Sequence, residues 1–153
     1  MHRVKGLSLR KLRALLVAGS VIMGISMSLV SCSNIQATKH FETGKRYAKN
    51  NQYDRAIEEF EQAVEANPKH DQALEAIGLI YGTLSMYEKA EGYFERALEL
   101  QPENKLYLQN CAITYVKLEK HEEAKKLYLR LLAIDKDDEA AKQQLQVIEE
   151  KGY

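Results

Sequence analysis

The chain has 153 residues, 45% of them hydrophobic and 29% charged, with two Pro, no Trp and a formal net charge of zero. That composition excludes a disordered or collagen-like chain and fits one ordinary globular domain. There is no basic excess of the kind that holds phosphates, so nucleic acid is not an expected partner.

Residues 1–31 differ from the rest. Arg3, Lys5, Arg10, Lys11 and Arg13 occur with no acid among them, and the 17 residues from Ala14 to Val30 are uncharged. A basic n-region ahead of an apolar h-region is the pattern of an export signal. A spanning helix needs about 20 apolar residues, so a cleaved signal is expected rather than a permanent span. Its removal leaves 17 basic against 22 acidic side chains, and the positive-inside rule puts residues 33 onward outside the cytoplasm.

The signal ends Leu29-Val30-Ser31-Cys32, which resembles the lipobox of bacterial lipoproteins. The resemblance implies that Cys32 is acylated and becomes the first residue, held at a membrane by its lipid. Two or more acyl chains anchor durably where one does so only marginally. Ser33 stands where Asp marks inner-membrane retention in enterobacterial-type lipoproteins, which implies the outer membrane where the cell has one. An ordinary secretory signal or an uncleaved anchor is the alternative. Residues 32–36 are expected to be a short lipidated tether, about 18 Å at full extension.

Pro68 and Pro102 are 34 residues apart, and the same step relates Gly44, Gly78 and Ala112; Tyr47, Tyr81 and Tyr115; Ala56, Ala90 and Ala124; and Phe60, Phe94 and Tyr128. A fixed period of this kind signals a repeat array. The spacing predicts antiparallel helix pairs over 37–50 and 54–66, 71–84 and 88–100, and 105–118 and 122–134. Gly or Ala on the first helix of each pair lets the second approach, and the aromatics fill the space around that contact. Pro68 and Pro102 stop the second helices. Asn104 and Asp138 stand where N-caps belong. Ala141, Leu145 and Ile148 then recur at helical spacing over 139–150, predicting a polar-backed helix that closes the end of the array.

The motif Leu74, Ile77-Gly78, Tyr81, Ala90, Phe94, Pro102 resembles the tetratricopeptide (TPR) consensus. The fold class expected is all-α, a TPR solenoid of three helix-turn-helix repeats (37–70, 71–104 and 105–138) with a capping helix and tail over 139–153.

Candidate chemistry is sparse. His2, His40, His70 and His121 do not lie at i, i+4 from one another or from Cys, so no metal site is expected. Cys111 takes the place of a consensus Leu and reads as a small buried hydrophobe. No Gly-rich phosphate loop and no nucleophile-base arrangement is present, so no cofactor is expected and the chain reads as a non-enzyme.

In TPR proteins a ligand lies along the concave face made by the first helices. Carried onto this sequence, that face holds Phe41, Lys45, Leu79, Leu106, Ile113 and Val116, an apolar seam on a surface where polar residues are the rule. A partner's peptide or helix would bury it; tight curvature or the C-terminal helix would be the chain's own cover. Chaperone adaptors of the family clamp a terminal carboxylate at places that here hold Phe41, Lys45, Ala76, Leu106 and Asn110. Only Lys45 and Asn110 suit that task, so a carboxylate clamp is not expected.

Charge is uneven: residues 51–104 hold 12 acids and 4 bases, residues 105–130 hold 6 bases and 3 acids. Such a dipolar rod steers a charged partner. The sequence as a whole reads as a membrane-tethered protein-docking scaffold of the bacterial envelope, similar to the pilotin-type lipoproteins of pilus and secretin assembly, which carry more repeats. A general scaffold for peptidoglycan or outer-membrane assembly enzymes, or a signal-anchored inner-membrane protein acting by self-association, are the alternatives. Oligomeric state is not read from the sequence.

Overall fold

A computed structural model describes residues 33–150, all of them in helices or the short turns between helices. The proposed signal and Cys32 lie outside the described residues. The helices are α1 (33–49), α2 (Tyr53–Ala66), α3 (Asp71–Thr83), α4 (Tyr87–Leu100), α5 (Lys105–Lys117), α6 (His121–Ile134) and α7 (Glu139–Glu150). Each packs on the next in chain order from α2 to α7, and α1 meets α2 where Phe41 lies 5.6 Å from Phe60. This is the solenoid expected: three antiparallel pairs and a final helix.

One boundary differs. The sequence reading assigns 32–36 to a tether and starts the first helix at 37, but the chain is helical from residue 33. No Pro or Gly interrupts 33–43, Thr38 Oγ1 donates to the Asn34 carbonyl at 2.9 Å, and buried Ala37 gives this turn a packed face. With those backbone groups already paired inside a helix, extension would only expose them.

The pairs close on the small-against-aromatic contact. A Cβ built on Gly44 would lie 2.6 Å from the Phe60 ring, and one on Gly78 would lie 2.7 Å from that of Phe94. Only a hydrogen fits there. The second helices stop alike: Asn67 and Gln101 leave the helical region ahead of Pro68 and Pro102, and Asp135 does so without a proline. Asn104 Oδ1 accepts from the amides of Leu106 and Tyr107, and Asp138 Oδ1 from that of Ala141 at 2.9 Å, so both are the caps expected. His70 caps α3 through Nδ1, which accepts from the Ala73 amide at 3.3 Å.

Each first helix ends in the same turn. Asn51, Ser85 and Glu119, again 34 apart, adopt φ of 56°, 58° and 60°. Gln52, Met86 and Lys120 donate their amides back to the carbonyls of Tyr47, Tyr81 and Tyr115 at 3.0, 2.9 and 2.9 Å. This six-to-one bond defines a Schellman cap, whose left-handed residue is usually Gly. None of the three is Gly, and Glu119 also sets a negative charge at the negative end of α5. Glu119→Gly should therefore stabilise the protein by about 0.5–1 kcal/mol, read as a higher urea midpoint with unchanged slope. Asn51→Gly should gain least, because Asn tolerates this conformation.

The largest buried cluster joins Phe94, Leu108, Cys111, Leu127, Tyr128 and Leu131 to Ala141, Leu145 and Ile148 of α7. Cys111 is 2% exposed, and burial pushes its thiol up to about 12, which keeps it an inert hydrophobe. Tyr128 stands where the earlier units have Phe. Its hydroxyl is buried with no hydrogen-bond partner among the described residues, and burial pushes it up to about 12. Tyr128→Phe removes an orphaned polar group and nothing else, so thermal unfolding should show a gain of about 1 kcal/mol.

Candidate functional site

The concave face is built by α1, α3 and α5, whose Cβ atoms recur on one side every third or fourth residue. Leu79 on α3 and Ile113 on α5 are 46% and 44% exposed, and among the described residues nothing covers them. They share a cavity of about 380 Å³ between α3, α4 and α5, which also borders Thr83, Phe94 and Asn110. A second cavity, of about 320 Å³, lies between α5, α6 and α7, lined among others by Val116, Leu131, Ala140 and Gln144. Ile113 and Lys117 line both. The final helix thus walls one end of the groove and leaves Leu79 open.

The structure divides the six groove residues. Leu79, Ile113 and Val116 come together around these cavities, although Val116 also packs on the buried cluster. Phe41 turns into the packing of the first unit, its ring 4.7 Å from His70 and 5.6 Å from Phe60. Lys45 Nζ bonds Glu42 at 2.8 Å and lies 5.3 Å from the Phe41 ring centre. Leu106 is 50% exposed and lines neither cavity.

Polar side chains of α3 and α5 are engaged with one another. Tyr107 Oη donates to Asp71 at 2.8 Å, and Asn110 Nδ2 donates to Glu75 at 3.4 Å. Burial raises the Glu75 carboxyl above its ordinary value; the Asn110 bond lowers it and the Asp71 charge raises it further. A carboxyl raised by folding binds more protons in the native state than in the unfolded one over that window, so stability falls as pH rises through it. Glu75→Gln should therefore raise the melting temperature at pH 7 and leave it unchanged below the ordinary value of 4.5, as parallel melts would show. Sequence reasoning did not single out Glu75; the signal available was an acid at the fifth place of a first helix, between apolar neighbours.

His40 Nδ1 lies 2.8 Å from Glu59 and ties α1 to α2. Among the described residues no three His, Cys, Asp or Glu side chains gather as a metal site, and no helix is long and apolar enough to cross a membrane.

Two tetratricopeptide-repeat profiles match the chain, over residues 41–105 and 85–146. Comparison with curated proteins finds no match. Among solved structures, the first TPR domain of Spaghetti (RPAP3) bound to the HSP90 peptide SRMEEVD is 25% identical, with a TM-score of 0.71, covering 77% of this chain and 94% of that one. The first TPR domain of human RPAP3 is 26% identical, with a TM-score of 0.65 and 77% and 98% covered. The Arabidopsis OM64 TPR domain, 15% identical with a TM-score of 0.69 over 78% and 98%, shares the fold.

Proposed function

We propose that this chain, which belongs to the tetratricopeptide-repeat family, is a lipid-tethered docking scaffold of the bacterial envelope that holds a partner's peptide segment or helix in its concave face. The observation that carries the docking role is the pair Leu79 and Ile113, nearly half exposed and flanked by two cavities. Apolar surface held open on a concave face is what a bound segment buries. The similar Spaghetti domain binds a peptide, which supports the same use of the fold here. Its ligand's terminal carboxylate is not what this groove suits, because Phe41, Ala76 and Leu106 are apolar where the family's clamp is polar.

Tethering rests on the sequence of residues 1–32: the basic n-region, the apolar stretch and Leu29 to Cys32. With helix from residue 33 onward, the tether shortens to the acylated cysteine itself, and the scaffold works close against the membrane. Ser33 directs it to the outer membrane, and a secretin or pilus component is the partner this arrangement fits.

Photocrosslinking in living cells from position 79 tests the reading. Capture of a single secretin or pilus component supports it in full. Capture of many envelope proteins replaces that partner with a general scaffold role, and no crosslink removes the groove from the function. Cys32→Ala should release the protein from membranes; unchanged association would mean an uncleaved anchor.

A further inference from the structure

The two cavities meet at Ile113 and Lys117, one turn apart on α5, so an occupant that fills both must cross Lys117. That side chain is exposed. No hydrogen bond or ion pair engages it among the described residues. No Asp or Glu lines either cavity, although the chain carries 22 acids. The acids of α3 are engaged elsewhere, Asp71 by Tyr107 and Gln101 and Glu75 by Asn110. Lys117 is therefore an ammonium without a counter-ion between two apolar hollows, and covering it with a ligand would strengthen its pull on a negative charge.

The position of that charge constrains what binds. A terminal carboxylate on Lys117 would end the ligand there and leave one cavity empty. A segment that continues in both directions fills both. Basic segments are disfavoured by Lys117, and purely apolar ones would desolvate an unpaired cation.

Resting on the groove reading above, we propose that the occupant is an internal segment of a partner protein with the order apolar, acidic, apolar, its two apolar side chains in the two cavities and the carboxylate between them accepting from Lys117 Nζ. Neither cavity carries an acid, and the basic excess of residues 105–130, 6 bases against 3 acids, draws the carboxylate of such a segment to Lys117.

The test is selection from a random-peptide display library on the full chain in detergent. The wild-type protein should enrich Asp or Glu flanked by aliphatic or aromatic residues, and Lys117→Glu should reverse the middle position to Lys or Arg, weakening the acidic peptides by about tenfold or more. Lys117 is exposed, so this variant should keep its fold, checked by circular dichroism. Acidic enrichment unchanged in Lys117→Glu, enrichment of free C-termini, or no enrichment in the wild type would overturn the proposal. A concentration-dependent dimer that competes with the peptides would also overturn it, by making a second copy the occupant. If Leu79→Asp and Ile113→Asp leave selection intact, the groove reading itself fails. If they abolish it while Lys117→Glu changes nothing, only the present inference falls.

Discussion

Phe94→Ala should destabilise the protein by about 3–5 kcal/mol, at the upper end for a Phe truncation. Cost at fixed chemistry depends on how far the surroundings collapse, and here they cannot. The ring is 3% exposed and fills the space opposite Gly78, which has no side chain to swing into a void. It shares its buried cluster with Ala90, Leu108 and Ala112, of which two are already small and all are fully buried. For a small domain held together by about 5–15 kcal/mol, such a loss moves the protein close to its unfolding midpoint.

The same contact predicts a change of sign. In the wild type, Gly78→Ala places a Cβ 2.7 to 3.0 Å from three ring atoms of Phe94, and the overpacking should cost about 1–3 kcal/mol, part of it offset by the better helix propensity of Ala. With Phe94 already replaced by Ala, the clash is gone and only the propensity gain of about 1 kcal/mol is left. Gly78→Ala should then stabilise. Urea melts of the two single variants and the double variant give the coupling directly, and an unchanged sign in both backgrounds would refute the account of why glycine stands there.

Much of this fold was legible because it repeats. Gly44 and Gly78, the prolines at 68 and 102 and the caps at 104 and 138 each have a local physical reason, and recurrence at one period made those reasons mutually consistent. The left-handed turns at 51, 85 and 119 were missed although they share the period, because Asn, Ser and Glu occupy them and the expected glycine is absent. The start of α1 was set at residue 37, where the repeat begins, although Ser33 and Asn34 are N-cap residue types and Gln36 follows Ser33 at capping-box spacing; that local signal lies outside the 34-residue period. The groove was legible as a face but not as a site. Phe41 and Leu79 occupy comparable faces of their helices, yet Phe41 packs on His70 and Phe60 while Leu79 stays open. That difference depends on loop and neighbouring-helix geometry that a sequence period does not encode.

Deleting α7 should cost about 5 kcal/mol or more and act unevenly along the solenoid. The helix buries Leu145, Ile148 and Ala141, which are 9%, 3% and 1% exposed, and covers Tyr128 and Leu131, each 2% exposed. Two large aliphatic side chains alone account for about 3–6 kcal/mol, and the uncovered faces of α5 and α6 add to that. In an array each unit is stabilised mainly by its neighbours, so the loss should fall on α6 and α5, which touch the removed helix or its pocket, before it reaches α2 and α3. Hydrogen exchange on a chain ending at residue 138 should accordingly show protection lost across 105–134 and largely kept across 53–83. Uniform loss would instead mean that the three repeats unfold as one unit. Ile148→Ala, at about 2–4 kcal/mol, should reproduce the same gradient with the backbone of α7 intact. That variant also separates the two roles of the helix, since Ile148 seals the buried cluster while Ala140 and Gln144 face the groove.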